Sequence, residues 1–318
     1  MQTGLEHVDC VVAAARSRSA AARSPLVASW RRSMVTHGLD PADDNRLSCL
    51  TDGELAEHRQ RAEGLLLAAD RSLNHLFSLV RLSGCAVFLT DRHGIVLDQR
   101  CADADSSDFL GWNLRPGADW SEVAEGTNGI GTCLVERRRV VVHRDEHFSL
   151  RNISMSCIDA PLFGPAGELI GALDVSSARA DQSHALNGLI CEAVCQIARQ
   201  IENDLFYAAF PDARIIVCGG EVGGAPALVA VDEDDVVLGA NRAARRRLQL
   251  PLETPLTPRA ASDLLGTDAE RPALEAAERK ALKGALLHSG GNVTAAAQAL
   301  GIGRATLYRR MKRLGVSK

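Results

Sequence analysis

The chain has 318 residues, a formal charge of −4, 46% hydrophobic and 24% charged residues. That apolar content excludes wholesale disorder and allows two or three cored domains, while no apolar run approaches the roughly 20 residues of a membrane helix. Nine cysteines, an odd number with no Cys-x-x-Cys pair, point to reduced thiols rather than a disulfide framework or a structural zinc site.

Residues 1–82 read as helical. The N-terminal stretch lacks the n- and h-regions of a secretion signal, so a cytoplasmic protein is expected. In "SPLVASWRRSMVTHGL", Ser24 is placed to cap a helix, Pro25 takes its first position and Gly38 stops it. Thr51 caps the next helical stretch, where Leu66, Ala69, Leu73, Leu76, Phe77 and Val80 form an apolar stripe. From residue 83 the pattern turns β-rich. "CAVFLTDRHGIVLDQR" is two strands about a tight turn, "RRRVVVHRDEHF" supplies another, and "ISMSCIDAPLFGPAGELIGALDVSS" is two more about "GPAG". A helix then closes this 83–206 unit, with Leu186, Leu189, Ile190, Ala193, Val194, Ile197, Ile201 and Leu205 on one stripe and Cys191 and Cys195 sharing a face. Helices around antiparallel strands make the fold class α+β.

Residues 207–250 read as a smaller α+β piece, with strands flanking an acidic turn and a helix starting at "RAARRRLQL". The proline-rich stretch 251–271 reads as a linker. Residues 272–318 hold nine basic residues against two acidic ones, a charge of +7 that leaves −11 on the rest of the chain. Such a division argues for two jobs in one chain. In this tail, Leu274, Ala277, Ala281 and Ala285 mark the apolar face of a first helix, and Gly290 and Gly291 end it. Asn292 caps a second helix, Gly301 permits a tight turn, and a third runs from Arg304 to Gly315 with Leu307, Met311 and Leu314 inward. Two short helices about a glycine turn, with basic residues off the core stripe, describe a helix-turn-helix for double-stranded DNA.

The segment "GGNVTAAAQALGIGRATLYRRMKRLGV" resembles the Fis-type helix-turn-helix of bacterial regulators. The resemblance implies base or phosphate contacts from Arg304, Thr306, Tyr308, Arg309 and Lys312, an approach to the DNA backbone by Asn292 and Thr294, and binding as a homodimer. Gly303 stands where that family commonly has a polar cap. "EGTNGIGT" and "APLFGPAGELIGALDVSS" resemble the GAF domain of the acetoin-catabolism class of bacterial activators, and 207–250 is similar to a truncated PAS-like piece of that class. Full-length members carry an ATPase; here no G-x-x-x-x-G-K-[ST] loop occurs, and "GGEVGG" lacks the phosphate-reaching lysine. ATP-driven remodelling of RNA polymerase is therefore not carried over, and ordinary contact with RNA polymerase stays open.

GAF modules take small molecules between sheet and covering loops. The candidate lining residues are Trp112, Trp120, Asn128, Cys133, His147, Phe148, Cys157 and Asp159, each weighed against plain core filling. Cys133, ahead of "LVERRR", is the best candidate for a redox thiol; His143, His147 and Cys157 match no specific metal spacing. No catalytic residue, metal or cofactor is assigned. The expectation is a ligand-responsive DNA-binding regulator with an effector of unknown identity. The alternatives are an effector-independent co-regulator or architectural protein, or a thiol-dependent methionine sulfoxide reductase on a GAF fold.

Overall fold

The structure, a computed structural model, describes residues 4–43, 48–179, 184–220, 224–265 and 273–316, which fall into two compact units, Met1–Pro258 and Arg259–Lys318. The first unit begins with helices α1 (Gly4–Arg16), α2 (Arg18–Ala21) and α3 (Pro25–Arg31). Ser24 caps α3 by accepting from the Val27 amide, with Pro25 at the first position. The chain then continues as a π-helix, Arg32–Thr36, and ends at Gly38, whose φ of 68° suits glycine.

Thr51 and Glu54 form a capping box on α4 (Asp52–Arg61). The single long helix expected after Thr51 is broken at Ala62 (φ −103°, ψ 16°), where α5 (Glu63–Val80) begins. The break lets α4 lie on the sheet, where Arg59 donates to the Leu97 carbonyl (2.9 Å) and His58 pairs with Asp91 (2.7 Å).

Five strands, β1 (Cys85–Asp91), β2 (Val96–Arg100), β3 (Val140–His143), β4 (Ser156–Phe163) and β5 (Leu169–Ser177), form an antiparallel sheet in the order β2-β1-β5-β4-β3. Asp91 Oδ1 closes the β1–β2 turn by accepting from the His93 and Ile95 amides. Helix α5 and the long α9 (His184–Ala209) cover one face, burying Leu73, Leu76, Val80, Ile190, Val194 and Ile201 against Val87, Leu89, Leu173 and Val175. Leu189 leaves its expected stripe: it is 72% exposed, and Ala198 packs inward instead. The other face lies beneath α6 (Ser106–Gly111), α7 (Glu122–Glu125) and α8 (Gly129–Glu136).

Strands β6 (Arg214–Gly220), β7 (Pro226–Val231) and β8 (Val237–Ala240) make a small antiparallel sheet followed by α10 (Arg242–Arg247). It joins the larger sheet in one compact unit: the Arg242 guanidinium stacks 3.8 Å over Phe163 and donates to the Gly167 carbonyl. Arg245 is buried, and its guanidinium donates to the carbonyls of Ala240, Pro251 and Thr254, clamping the first turn of the 251–271 stretch.

In the second unit, α11 (Ala261–Leu265) precedes α12 (Ala273–His288), α13 (Val293–Ala299) and α14 (Arg304–Leu314). Their core is Leu282, Leu286, Val293, Ala296, Ala297, Leu307, Met311, Leu314 and Val316. The predicted phase of α12 is corrected here. Ala277 and Ala281 are exposed, Ala285 packs at the margin, and Leu282 and Leu286 carry the buried face. The larger leucines win because they remove more apolar surface from water; the side chain of Leu274 lies outside the described residues.

Candidate effector site and nucleic-acid interface

Side chains alternate across a strand, so register decides what meets on the covered face of the sheet. In β4–β5, Asp159 lies opposite Asp174 and Cys157 opposite Ser176; Phe88 of β1 flanks Asp174, and Val140 of β3 flanks Asp159. Both aspartates are buried, at 1% and 0% exposure. Ser176 Oγ donates to Asp174 Oδ2 at 2.7 Å. Among the described residues, both Asp159 oxygens and Asp174 Oδ1 receive no donor from any other residue. Burial and then the neighbouring Asp174 push the Asp159 carboxyl well above its usual range, and burial pushes Asp174 up to about 7.

The rest of the cluster supplies no positive charge. His147 Nδ1 bonds the Arg144 carbonyl (2.9 Å) and Nε2 meets Cys157 Sγ (3.4 Å). Burial lowers its pKa to about 4, so the ring is neutral at pH 7 and Cys157 is the donor to Nε2.

The cover comes from "EGTNGIGT". Asn128 caps α8, accepting from the Gly131 amide (2.8 Å) and donating to the Gly126 carbonyl (2.9 Å). Gly129 then sits directly on the aspartate: a Cβ there would lie 2.0 Å from Asp159 Oδ2 and 2.5 Å from Cys157 Cβ. The outer side of this turn holds the N-terminal helices. Ser29 Oγ contacts Thr127 Oγ1 (2.7 Å) and Thr132 Oγ1 (3.3 Å), and Ser33 Oγ reaches Thr127 (3.3 Å). Arg32 pairs with Glu122 and Glu136, each at 2.9 Å, and Trp30 Nε1 donates to the Glu146 carbonyl (2.8 Å).

Of the eight expected lining residues, Asn128, His147, Cys157 and Asp159 meet at this cluster. Cys133 and Trp120 belong to the same buried core, as does half-buried Trp112, whose indole donates to the Arg151 carbonyl. Phe148 packs elsewhere, with Val11, Ala15, Trp30 and Leu39 against the N-terminal helices. Asp174 and Ser176 are functional candidates that the sequence reading missed; only cross-strand register brings them in. Gly129 closes over Asp159 and Cys157 on this face. Two open grooves, of about 930 and 500 Å³, lie along α4 and α5, and none of the eight residues lines either. The Cys133 thiol is fully buried, and burial with the nearby Asp159 and Asp174 pushes its pKa well above 9, which suits core filling. Cys157 is raised in the same way, so neither thiol offers a thiolate near neutral pH.

In the second unit, Asn292 caps α13 by accepting from the Thr294 and Ala295 amides. Gly301 turns the chain with a φ of 65°, and α14 starts at Gly303, which provides no side-chain cap. With Leu307, Met311 and Leu314 buried, helical geometry turns Ala305, Arg309 and Lys312 directly outward. All three are exposed, and no acidic partner pairs with Arg309 or Lys312 among the described residues. Arg304 and Tyr308 occupy one flank, the guanidinium 5.8 Å from the ring centre. Thr306 is half-buried on the opposite flank. There Arg310 (3.1 Å) and Arg313 pair with Glu278 of α12, which takes two of the tail's cations out of the exposed face. Asn292 and Thr294 are exposed at the start of α13.

Residues 65–205 match the GAF domain model, and residues 273–314 match the model for bacterial regulatory protein, Fis family. The chain is 32% identical over 225 residues to the acetoin catabolism regulatory protein of Cupriavidus necator, covering 70% of this chain and 34% of that protein. It is 27% identical to the acetoin dehydrogenase operon transcriptional activator AcoR of Bacillus subtilis, covering 48% and 25%. It thus spans about a third or less of the length of these relatives. Among solved structures, the E. coli DhaR(N)-DhaL complex shares the fold, with a TM-score of 0.53, 18% identity, and coverage of 76% of this chain and 81% of that one. No described helix is long and apolar enough to cross a membrane. The chain joins a GAF domain to a DNA-binding helix-turn-helix of the Fis family.

Proposed function

We propose that this chain is a ligand-responsive, sequence-specific transcriptional regulator, cytoplasmic and without catalytic activity of its own. Residues 83–206 sense a small effector beneath a helical segment, 1–82. Residues 207–250 and the 251–271 linker connect this sensor to the DNA reader, 272–318. The regulator works as a homodimer paired along α9, so that effector binding changes the spacing of two recognition helices, which must match half-sites about one DNA turn apart. Contact with RNA polymerase follows from bound position on the promoter. The observation that carries this reading is the α14 face, where Arg309 and Lys312 stand opposite a closed apolar core with no acidic partner among the described residues.

The test is a salt titration of binding to the DNA upstream of the protein's own coding region. Wild type is expected to show a steep fall of log K with log salt, and Arg309→Ala and Lys312→Ala to bind more weakly with a shallower slope. Equal, weak binding by all three would overturn the reading. The tight cover of Gly129 over Asp159 favours one second reading, an effector-independent co-regulator; DNA affinity unmoved by every ligand that the sensor binds would select it.

A further inference from the structure

The paired aspartates are the least satisfied polar groups in the sensor, and their arrangement specifies what satisfies them. Three oxygens, both of Asp159 and Oδ1 of Asp174, face one another across β4–β5 with no donor from another described residue. No arginine or lysine pairs with either among the described residues. A buried carboxylate pair with no counter-charge is costly, and a bound cation with enough N–H groups removes that cost. An alkylammonium head has three N–H donors and one positive charge, which matches three acceptors and an uncompensated carboxylate. Hydroxyl ligands offer one donor each and no charge. The apolar surroundings, Phe88, Phe109, Trp120, Ile130 and Val142, suit a short hydrocarbon tail.

We infer that the Asp159–Asp174 pair is the recognition site for a small primary amine, bound as its ammonium ion with the alkyl group in the aromatic core beneath α8. This rests on the sensor reading of residues 83–206 and names the chemical class of its effector. Gly129 lies directly on the pair, and burial favours the protonated form of both carboxyls. The entering ammonium pairs with the carboxylate left when Asp174 gives up its proton, while Asp159 keeps its own, and it lifts the first turn of α8. That turn is tied through Thr127 and Thr132 to Ser29 and Ser33, so occupancy reaches the N-terminal helices directly. The titratable groups facing the pair are Cys157 and His147 on the β4 side and Cys133 from α8, while β1 and β3 present Phe88 and Val140. None of them supplies a positive charge near pH 7.

The experiment is a fluorescence and calorimetric titration of the full chain with n-propylamine and n-butylamine, against n-butanol, 2,3-butanediol and butyrate. Trp112 and Trp120 belong to this core and Trp30 to the N-terminal helices packed beside it, so the emission reports on both. The amines are expected to bind and to bind more tightly at pH 8 than at pH 6, because the pair must give up its proton. Asp159→Asn and Asp174→Asn are expected to lose at least tenfold in amine affinity while keeping or raising the unliganded melting temperature, which shows that they fold. Binding of the diol or alcohol in preference to the amines would overturn the amine class and leave the sensor reading standing. Amine binding unchanged in both asparagine variants, or no amine binding, would also overturn it. Amine binding that leaves DNA affinity unmoved would confirm the site and overturn the sensor reading instead.

Discussion

Ser29 Oγ and Thr127 Oγ1 lie 2.7 Å apart, 98 residues distant in sequence, both fully buried. Through this contact the N-terminal helices grip the turn that covers the aspartate pair. The turn therefore has two masters: the sheet, through Gly129, and the helical segment, through Thr127 and Thr132. A regulator needs this kind of element, since a site can influence distant parts only through something that both ends bias.

Ser29→Ala and Thr127→Val are each expected to destabilise the first unit by about 1 kcal/mol, the usual net worth of a buried neutral hydrogen bond. The double variant is expected to cost less than the sum, because both remove the same contact. Denaturant unfolding of the four proteins measures this coupling; strict additivity would mean that the hydroxyls do not act as a pair.

Gly129→Ala is expected to cost about 2–3 kcal/mol, since its methyl group would overlap Asp159 Oδ2 and backbone must shift. Combining it with Asp159→Ala is expected to recover only the part due to the carboxylate, because the contact with Cys157 Cβ stays. Melting temperatures of both variants decide the matter, and no rescue would place the clash elsewhere.

The pH dependence follows from the shifted groups. Folded Asp174 keeps its proton up to about 7, whereas the unfolded chain releases it near 3.8, so the unfolded state binds fewer protons between those values. Stability therefore falls as pH rises through this window. Glu202, half-buried and raised to about 7, acts in the same direction, as does Asp159, which burial and Asp174 push up. His147 acts oppositely between about 4 and 6.5, where only the unfolded chain takes up its proton. Asp174→Asn is expected to gain on wild type steadily from pH 4 to pH 7, at about 1.4 kcal/mol per unit of pKa displacement removed. Unfolding midpoints across pH 4–8 test the sign, and a constant difference between the two proteins would contradict it.

Glu278 restrains two arginines of the DNA-reading unit. Glu278→Gln is expected to cost no more than about 1 kcal/mol of stability, because Arg310 and Arg313 are largely exposed. It also releases both cations, so non-specific DNA affinity is expected to rise and the salt slope to steepen. Binding to an unrelated duplex at several salt concentrations checks this; an unchanged slope would mean that neither arginine reaches phosphate.

Leu307→Ala is expected to unfold the second unit. A buried leucine costs about 2–5 kcal/mol when truncated, comparable to the whole stability of so small a core. Loss of the helical signal of this unit alone, with the sensor's melting transition unmoved, is the expected outcome.

Most local structure is legible along the chain, because the signals for it lie within a few residues. Ser24, Thr51 and Asn292 cap helices where they were expected to, the two hairpin turns fall at "DRHG" and "GPAG", and Leu307, Met311 and Leu314 form the inward stripe of the recognition helix. The rest depends on partners remote in the chain. The phase of α12 is set by α13 and α14, which bury Leu282 and Leu286 in place of the alanine stripe. The expected pocket residues separate, Phe148 going to the N-terminal helices and Asp159 to the sheet. Asp174 becomes a site residue only because strand register places it opposite Asp159, 15 positions away. A carboxylate in a strand is unremarkable when read along the chain; two of them sharing one buried space are not, since the cost arises from their meeting and neither residue carries it alone.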